Sequence, residues 1–229
     1  MMRQLPLDFR IRDKPSFENF WPGGNGAALE AAQLLAAGGA GPLYLFGPGG
    51  CGKTHLLAAA ARAASEHGVC AYLSLMHASD AQWEGLADLP STALLCVDEV
   101  DLIGTRPDWQ HRLFVLLETL APQRRVLLAG RANPAGLGID RDDLRTRLAS
   151  GPVLAMGALS DEAKAQVLQH RATIRGLSLN DASAAYLLTH GPRDPHALFV
   201  LLEQLDQATL ADGRRLTIPY LRMIFEDLE

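Results

Sequence analysis

The sequence predicts an α/β protein in two lobes, a parallel sheet flanked by helices and then a small all-helical domain. Short apolar runs alternate with helical stretches in the first part of the chain, which is typical of a parallel sheet. After Leu159 no strand-like run appears, and amphipathic segments follow. We predict an N-terminal segment over residues 1–12, a core lobe over 13–156 and a helical lid over 157–229.

The core strands and helices are predicted from runs that alternate along the chain. The strand-like runs lie at residues 43–46, 69–75, 94–97 and 125–129. The helical stretches between them lie at residues 55–64, 81–86 and 110–120. The link at residues 154–159 is expected to be a hinge between the two lobes.

Each lid helix is predicted from a start signal. Ser160 precedes two acidic residues, Asn180 precedes Asp181, and Asp194 precedes Pro195 at a first-turn position. A last short helix is expected after residue 217. A stripe with three- and four-residue steps indicates packing between helices; it consists of Leu198, Leu201, Leu202 and Leu205.

Composition excludes several classes of protein. The 229 residues are 48% hydrophobic and 21% charged, which excludes a disordered or fibrous chain. A formal charge of −5 provides no broad cationic field for a nucleic-acid backbone. Three cysteines without metal or disulfide spacing fit a reducing cytoplasm. We also expect no secretion signal and no membrane span.

A glycine-rich loop between the first strand and the next helix carries the strongest motif. It fits the phosphate-binding pattern G-x-x-x-x-G-K-[ST] in the required strand and helix context. Backbone N–H groups surround phosphate oxygens, Lys53 supplies positive charge near the β- and γ-phosphates, and the Thr54 hydroxyl is a Mg²⁺ ligand. The predicted nucleotide-binding residues of this loop are Gly47, Pro48, Gly49, Gly50, Cys51, Gly52, Lys53 and Thr54.

Two carboxylates end the third predicted strand. The apolar run 94–97 leads into Asp98 and Glu99, the Walker B arrangement that accompanies a phosphate-binding loop. Asp98 is the candidate Mg²⁺ ligand, and Glu99 is the candidate catalytic residue that orients or activates water. An acidic pair alone fits a solvated strand end equally well, but its place after the loop predicts a P-loop NTPase.

An arginine-rich segment precedes the lid. A guanidinium here, such as that of Arg147, can neutralise charge on a transferring γ-phosphoryl group in this subunit or a neighbouring one. The chemistry alone favours another interpretation, a solvated helix in which Asp142 or Asp143 pairs with Arg145 and Arg147.

The N-terminal segment alternates apolar residues. Leu5, Leu7 and Phe9 suit an extended peptide that inserts side chains into a partner's pockets while the Gln4 amide fixes one end. From the spacing alone, an edge strand on the protein's own surface is the favoured alternative.

Taken in order, these motifs resemble those of the DnaA-related branch of AAA+ ATPases. The resemblance rests on residues 17–23 (Phe-Glu-Asn-Phe-Trp-Pro-Gly), the loop with residues 55–57, the Walker B strand and residues 216–220 (Leu-Thr-Ile-Pro-Tyr). Within this branch the chain is most similar to the regulatory inactivators of DnaA, which also carry the N-terminal Gln-Leu-x-Leu element. Thirteen residues remain from Thr217 onward, so we expect no helix-turn-helix domain like that of the initiator.

The resemblance implies a fold, a cofactor and two partners. An AAA+ core and lid bind ADP or ATP with Mg²⁺, and Phe20, Trp21, Pro22 and Gly23 lie beside the adenine. The N-terminal segment docks on the DNA polymerase III sliding clamp, so that contact with DNA is mainly indirect. The clamp-bound protein stimulates ATP hydrolysis by DnaA and prevents re-initiation of replication. Arg147 acts in trans on DnaA-bound ATP, so that the catalysed reaction belongs to the partner.

A second class of function uses the same motifs. In an autonomous oligomeric AAA+ ATPase such as a helicase loader, Lys53, Asp98 and Glu99 hydrolyse ATP, and Arg147 of the next subunit in a homo-oligomer supplies the finger. This alternative leaves the N-terminal element unexplained.

The two sensor positions depart from the family pattern, and the alternatives there stay open: Arg131 or Asn133 after the fourth strand, and Arg193 or His196 in the lid.

Overall fold

The computed structural model describes residues 14–90, 92–120 and 125–228. The helices and strands of the core lobe are α1 (Gly26–Ala36), β1 (Pro42–Phe46), α2 (Lys53–Ser65), β2 (Cys70–Ser74), α3 (Asp80–Gly85), β3 (Leu94–Asp98), α4 (Pro107–Leu120), β4 (Arg125–Gly130), α5 (Asp142–Leu148) and β5 (Val153–Ala155). The lid consists of α6 (Asp161–Ile174), α7 (Asp181–His190), α8 (Pro195–Asp212) and α9 (Ile218–Leu228).

The strands form one parallel sheet in the order β2-β3-β4-β1-β5. β1 lies between β4 and β5, with Leu43 opposite Leu127 of β4 and Tyr44 opposite Val153 of β5. Parallel strands end at one edge of a sheet, so the segments that follow β1, β3 and β4 converge there. This edge carries the candidate site, and the predicted fold class is confirmed.

Successive residues of the strands face two separate cores. In β3, Leu95 and Val97 belong to the cluster formed with α3, α4 and α5, whereas Leu94 and Cys96 belong to the cluster formed with α1 and α2. A strand covered on both faces is apolar throughout, which explains why the run before Asp98 has no polar alternation. Helices α2 and α5 therefore lie on opposite faces of the sheet.

Two core elements escaped the prediction. β5 has only three residues, too few to show a strand period, and it occupies the beginning of the expected hinge. The link between the lobes is therefore residues 156–160. Helix α1 was missed because its Ala-rich sequence has a weak apolar stripe.

The lid helices begin at the predicted residues. The side chains of Ser160, Asn180 and Asp194 each accept a hydrogen bond from the backbone N–H three residues later, at 3.2, 2.8 and 2.9 Å. The predicted leucine stripe of α8 is buried in the lid core. Among the described residues, no helix is long and apolar enough to cross a membrane.

Candidate nucleotide-binding site

The glycine-rich loop joins β1 to α2 at the converging edge of the sheet. Gly52 is the N-cap of α2 with φ = 98°, a left-handed conformation that favours glycine. A Cβ at Gly52 would lie 2.7 Å from Cε2 of Phe20, and one at Gly50 would lie 2.7 Å from Cγ of Pro195 in the lid. The loop is therefore packed between Phe20, which precedes α1, and the first turn of α8.

The Lys53 ammonium lies within the curve of this loop. Its Nζ donates to the carbonyl oxygens of Gly47 at 2.7 Å and Pro48 at 2.8 Å, and it lies 3.5 Å from Sγ of Cys51. The loop's own carbonyls thus hold the cation where phosphate oxygens bind in this motif. A phosphate group can replace these carbonyls as the partner of the ammonium.

Two hydrogen-bond donors fix Asp98 at the end of β3. The side chain is 2% exposed, Oδ1 accepts from the Glu99 backbone N–H at 2.9 Å, and Oδ2 accepts from the Tyr72 hydroxyl at 3.0 Å. Burial raises the pKa of Asp98 above its ordinary value, and the interactions with the Thr54 hydroxyl, the Glu99 N–H and the Tyr72 hydroxyl oppose that shift.

The contact between Thr54 and Asp98 tests whether Mg²⁺ fits this site. The hydroxyl and the carboxylate come from the start of α2 and the end of β3, and they lie close enough that the hydroxyl lowers the pKa of Asp98. Both are hard oxygen donors, which Mg²⁺ prefers, and this ion usually takes one or two protein ligands together with phosphate and water. The predicted pair therefore fits a nucleotide-bound Mg²⁺.

The Glu99 carboxylate is bound on the β2 side of Asp98. Its Oε2 accepts from the Ser74 hydroxyl at 2.5 Å and from the Met76 backbone N–H at 3.3 Å. The backbone of Glu99 is left-handed, with φ = 60°, an uncommon conformation for a residue with a side chain. In this structure the candidate catalytic carboxylate is thus directed to β2, on the opposite side of β3 from the P-loop strand.

The predicted adenine-side residues lie between the loop and the lid. Phe20 is buried against Gly52 and His55, with 5.5 Å between the Phe20 and His55 ring centroids. The Trp21 ring lies 6.0 Å from that of His170 in α6. The predicted group consists of Phe20, Trp21, Pro22 and Gly23. Gly23 lines a cleft of about 250 Å³, whose other walls include the lobe link and the start of α6.

Two residues of this region were given no role by the sequence motifs. Asn25 is buried, and its amide hydrogen-bonds with Gly157 in the lobe link. His55 lies between the lobes, with Nε2 2.9 Å from the Ser16 carbonyl oxygen and Nδ1 3.5 Å from Nη2 of Arg171. These contacts join residues 39 or more positions apart, so sequence spacing could not reveal them.

Arg147 lies apart from the P-loop, on α5. Its guanidinium forms an ion pair with Glu118 of α4, and both side chains are 41% exposed. The predicted ion pairs of this helix are formed in part, since Arg145 pairs with Asp142 while Asp143 pairs with Arg141. The structure thus groups Lys53, Thr54 and Asp98 at one site and places Arg147 elsewhere.

The candidate sensor residues differ in exposure and contacts. The Arg131 side chain is 77% exposed, with Nε 3.9 Å from Oδ2 of Asp101. The Asn133 side chain accepts from the Gly136 N–H at 2.9 Å and so caps the next turn. Arg193 is exposed, and the side chain of His196 lies outside the described part of the chain.

The predicted clamp-binding residues precede the first described residue, Lys14. Gln4, Leu5, Leu7 and Phe9 therefore lie outside the described residues, and their role stays a prediction from the sequence.

The sheet order, the P-loop after β1 and the paired Thr54 and Asp98 define a P-loop nucleotide-binding protein of the AAA+ class. Residues 11–155 match the family described as the bacterial DnaA ATPase domain, and residues 161–225 match the lid domain of Hda. The first match covers more than half of the chain, and the chain belongs to the bacterial DnaA ATPase-domain family. With its lid, it is a DnaA-related AAA+ protein of the Hda type.

Solved structures share this fold. Domain III of the Thermotoga maritima replication initiation protein DnaA is 19% identical, with a TM-score of 0.76 over 93% of this chain and 96% of that one. AMPPCP-bound DnaA from Aquifex aeolicus is 22% identical, with a TM-score of 0.66 over 82% of this chain. A DNA replication initiation factor is 23% identical, with a TM-score of 0.68 over 85% of this chain. The chain spans 64% of the length of each of the last two structures.

Proposed function

We propose that the protein is a regulator that binds adenine nucleotide, docks on the DNA polymerase sliding clamp and stimulates ATP hydrolysis by DnaA. The observation that carries this proposal is the position of Arg147. It lies on the opposite face of the sheet from α2 and is half-exposed. A guanidinium there is available to a second protein and is separate from the chain's own P-loop.

Nucleotide binding is assigned to residues that already lie together. The loop from Gly47 to Gly52 provides backbone N–H groups and the start of α2, and Lys53 provides the positive charge for the phosphates. Thr54 and Asp98 would hold Mg²⁺, which screens phosphate charge when bound. In this proposal the bound ADP or ATP sets the relative position of the lobes.

The partner's reaction is assigned to Arg147. Charge develops on the γ-phosphoryl oxygens of DnaA-bound ATP as the bond to the leaving group breaks. A guanidinium presented from outside neutralises that charge, and such an arginine contributes on the order of 10³-fold or more to the rate. Release of Arg147 from Glu118 costs little, because exposed ion pairs contribute only about 0–1 kcal/mol.

Clamp docking is assigned to the N-terminal segment. The Gln4 amide and the apolar side chains of Leu5, Leu7 and Phe9 suit a groove that accepts an extended peptide. Docking raises the local concentration of the protein wherever a clamp surrounds DNA, so the chain needs no strongly basic DNA-binding face of its own.

An autonomous, self-assembled ATPase is the second candidate. It is favoured by the presence of Lys53, Thr54, Asp98 and Glu99 in one chain. In that case Arg147 of one copy would complete the site of the next copy. The two candidates differ in which protein's ATP is hydrolysed.

One assay separates them. Phosphate release is measured with DnaA, this protein and DNA-loaded clamp, and then again without DnaA and with a variant lacking residues 4–9. The proposal predicts stimulation only with DnaA present, and a strong reduction when residues 4–9 are deleted. Robust turnover without DnaA would overturn the proposal in favour of the autonomous ATPase, and stimulation of DnaA unchanged by the deletion would refute the docking assignment.

A further inference from the structure

Asn25 has the position of a helix cap but does not act as one. It is the residue before α1, where an asparagine side chain usually accepts from a backbone N–H of the first turn. Here the side chain makes no such bond, and the residue is only 4% exposed. Its amide is therefore committed to other partners.

These partners belong to the link between the two lobes. The Gly157 N–H donates to Oδ1 of Asn25 at 2.8 Å, and Nδ2 donates back to the Gly157 carbonyl oxygen at 3.2 Å. One planar amide thus pairs with both backbone groups of a residue 132 positions later. Paired bonds of this kind fix direction as well as distance.

The same amide reaches the phosphate-binding loop. Nδ2 also lies 3.5 Å from the carbonyl oxygen of Cys51, a buried loop residue whose Sγ is 3.5 Å from the Lys53 ammonium. Gly157 in turn lies between the last strand, which ends at Ala155, and α6, which begins at Asp161. Asn25 therefore contacts the loop on one side and the lid's attachment on the other.

We propose that Asn25 is a positioning residue that couples nucleotide occupancy of the P-loop to the orientation of the helical lid. This rests on the nucleotide binding of the proposed function. A phosphate that replaces the loop carbonyls as the partner of the Lys53 ammonium changes the conformation of the loop around Cys51. The Asn25 amide, which contacts both Cys51 and Gly157, transmits that change to the lobe link. A buried amide cannot exchange these partners for water, so loop and link must move together.

The test is amide hydrogen exchange of the full chain with and without ADP and Mg²⁺. In the wild type, ADP slows exchange at residues 47–54 and also at residues 158–164, which follow Gly157 and include the first turn of α6. Asn25→Asp keeps Oδ1 for the Gly157 N–H but loses the Nδ2 donor. It retains the ADP effect at the loop, while the effect at residues 158–164 falls by about tenfold, as expected for the loss of buried hydrogen bonds.

Two further variants complete the test. Asn25→Ala gives the same loss of ADP response beyond Gly157, and Asn180→Ala, which removes a lid cap far from the loop, leaves both responses unchanged. The inference is overturned if both Asn25 variants keep the response at residues 158–164, or if both lose it at the loop as well. Absence of any ADP effect at the wild-type loop would instead refute nucleotide binding, and with it the proposed function.

Discussion

The nucleotide cleft and the surface of α5 hold their charged groups in different ways. In the cleft, Asp98 is buried with two hydrogen-bond donors, and Lys53 is held by loop carbonyls. On α5, Arg147 is half-exposed and pairs with the half-exposed Glu118. Buried, fully bonded groups are costly to move, whereas an exposed ion pair is weak and easily exchanged. The chain thus preorganises the site for its own ligand and leaves the arginine free to change partners.

The largest effect within this comparison is expected at Lys53. Lys53→Ala removes the ammonium group, which donates to loop carbonyl oxygens here and to phosphate oxygens when nucleotide binds. We predict that ADP affinity falls on the order of 100-fold. Isothermal titration calorimetry measures this change. Lys164→Ala, which removes the ion pair of the lid residues Lys164 and Asp161, serves as the control and should bind ADP normally. Equal affinity for both variants would contradict the assigned loop function.

A smaller effect is expected at Tyr72. Tyr72→Phe keeps the ring but removes the hydroxyl that orients the Asp98 carboxylate. We predict that the Mg²⁺ concentration that gives half of the maximal ADP binding rises by about tenfold or more, because a hydrogen bond to a charged group contributes about 1.5–3 kcal/mol. Tyr186→Phe in the lid is the matched control. An unchanged Mg²⁺ requirement would show that Asp98 needs no donor from β2.

On the α5 surface, the expected change has the opposite sign. Glu118→Gln removes the charge that competes for Arg147, and we predict about a two- to threefold increase in the stimulation of DnaA, the size expected for an exposed pair. Asp142→Asn frees Arg145 of the same helix and is expected to leave stimulation unchanged. If Glu118→Gln abolished stimulation, Glu118 would position the arginine rather than compete for it.

The smallest effect is a pH dependence at the start of α5. The Arg141 guanidinium hydrogen-bonded to Asp143 lowers the pKa of that carboxyl below its ordinary value. The ionised Asp143 carboxylate therefore stabilises the folded state at pH values above its unfolded pKa of about 3.9. This contribution is lost as the pH falls through the lower pKa of the folded state.

We predict that Asp143→Asn lowers the Tm slightly near pH 7, and that the difference from the wild type shrinks as the pH is lowered from about 5 to about 3. Thermal unfolding followed by circular dichroism measures it. A difference that grew with acidity would show that the pair does not stabilise the fold.

Residues with local signals were predicted, and residues whose partners are distant in sequence were not. The loop after β1, Asp98 at the end of β3 and the caps of the lid helices follow from spacing within a few residues. The bond of Asn25 to Gly157 and the ion pair of Glu118 with Arg147 depend on how the chain folds back. No pattern of residue types within one segment contains that information.

The buried position of Phe20 illustrates the same limit. The sequence places it in a group expected beside the adenine, but only the packing shows that its ring lies against Gly52 and His55. Similarly, the three-residue β5 is recognisable only by its pairing with β1.

The central claim, that the arginine of α5 serves a partner rather than the chain's own site, is tested most directly by the rate at which DnaA hydrolyses bound ATP in a single turnover. Wild type, Arg147→Ala and Arg145→Ala are each added with ADP and DNA-loaded clamp. We predict that Arg147→Ala binds ADP normally but loses stimulation, on the order of 10³-fold for a complete finger, while Arg145→Ala stimulates as the wild type does. Full stimulation by Arg147→Ala, or a loss of its ADP binding, would contradict the claim.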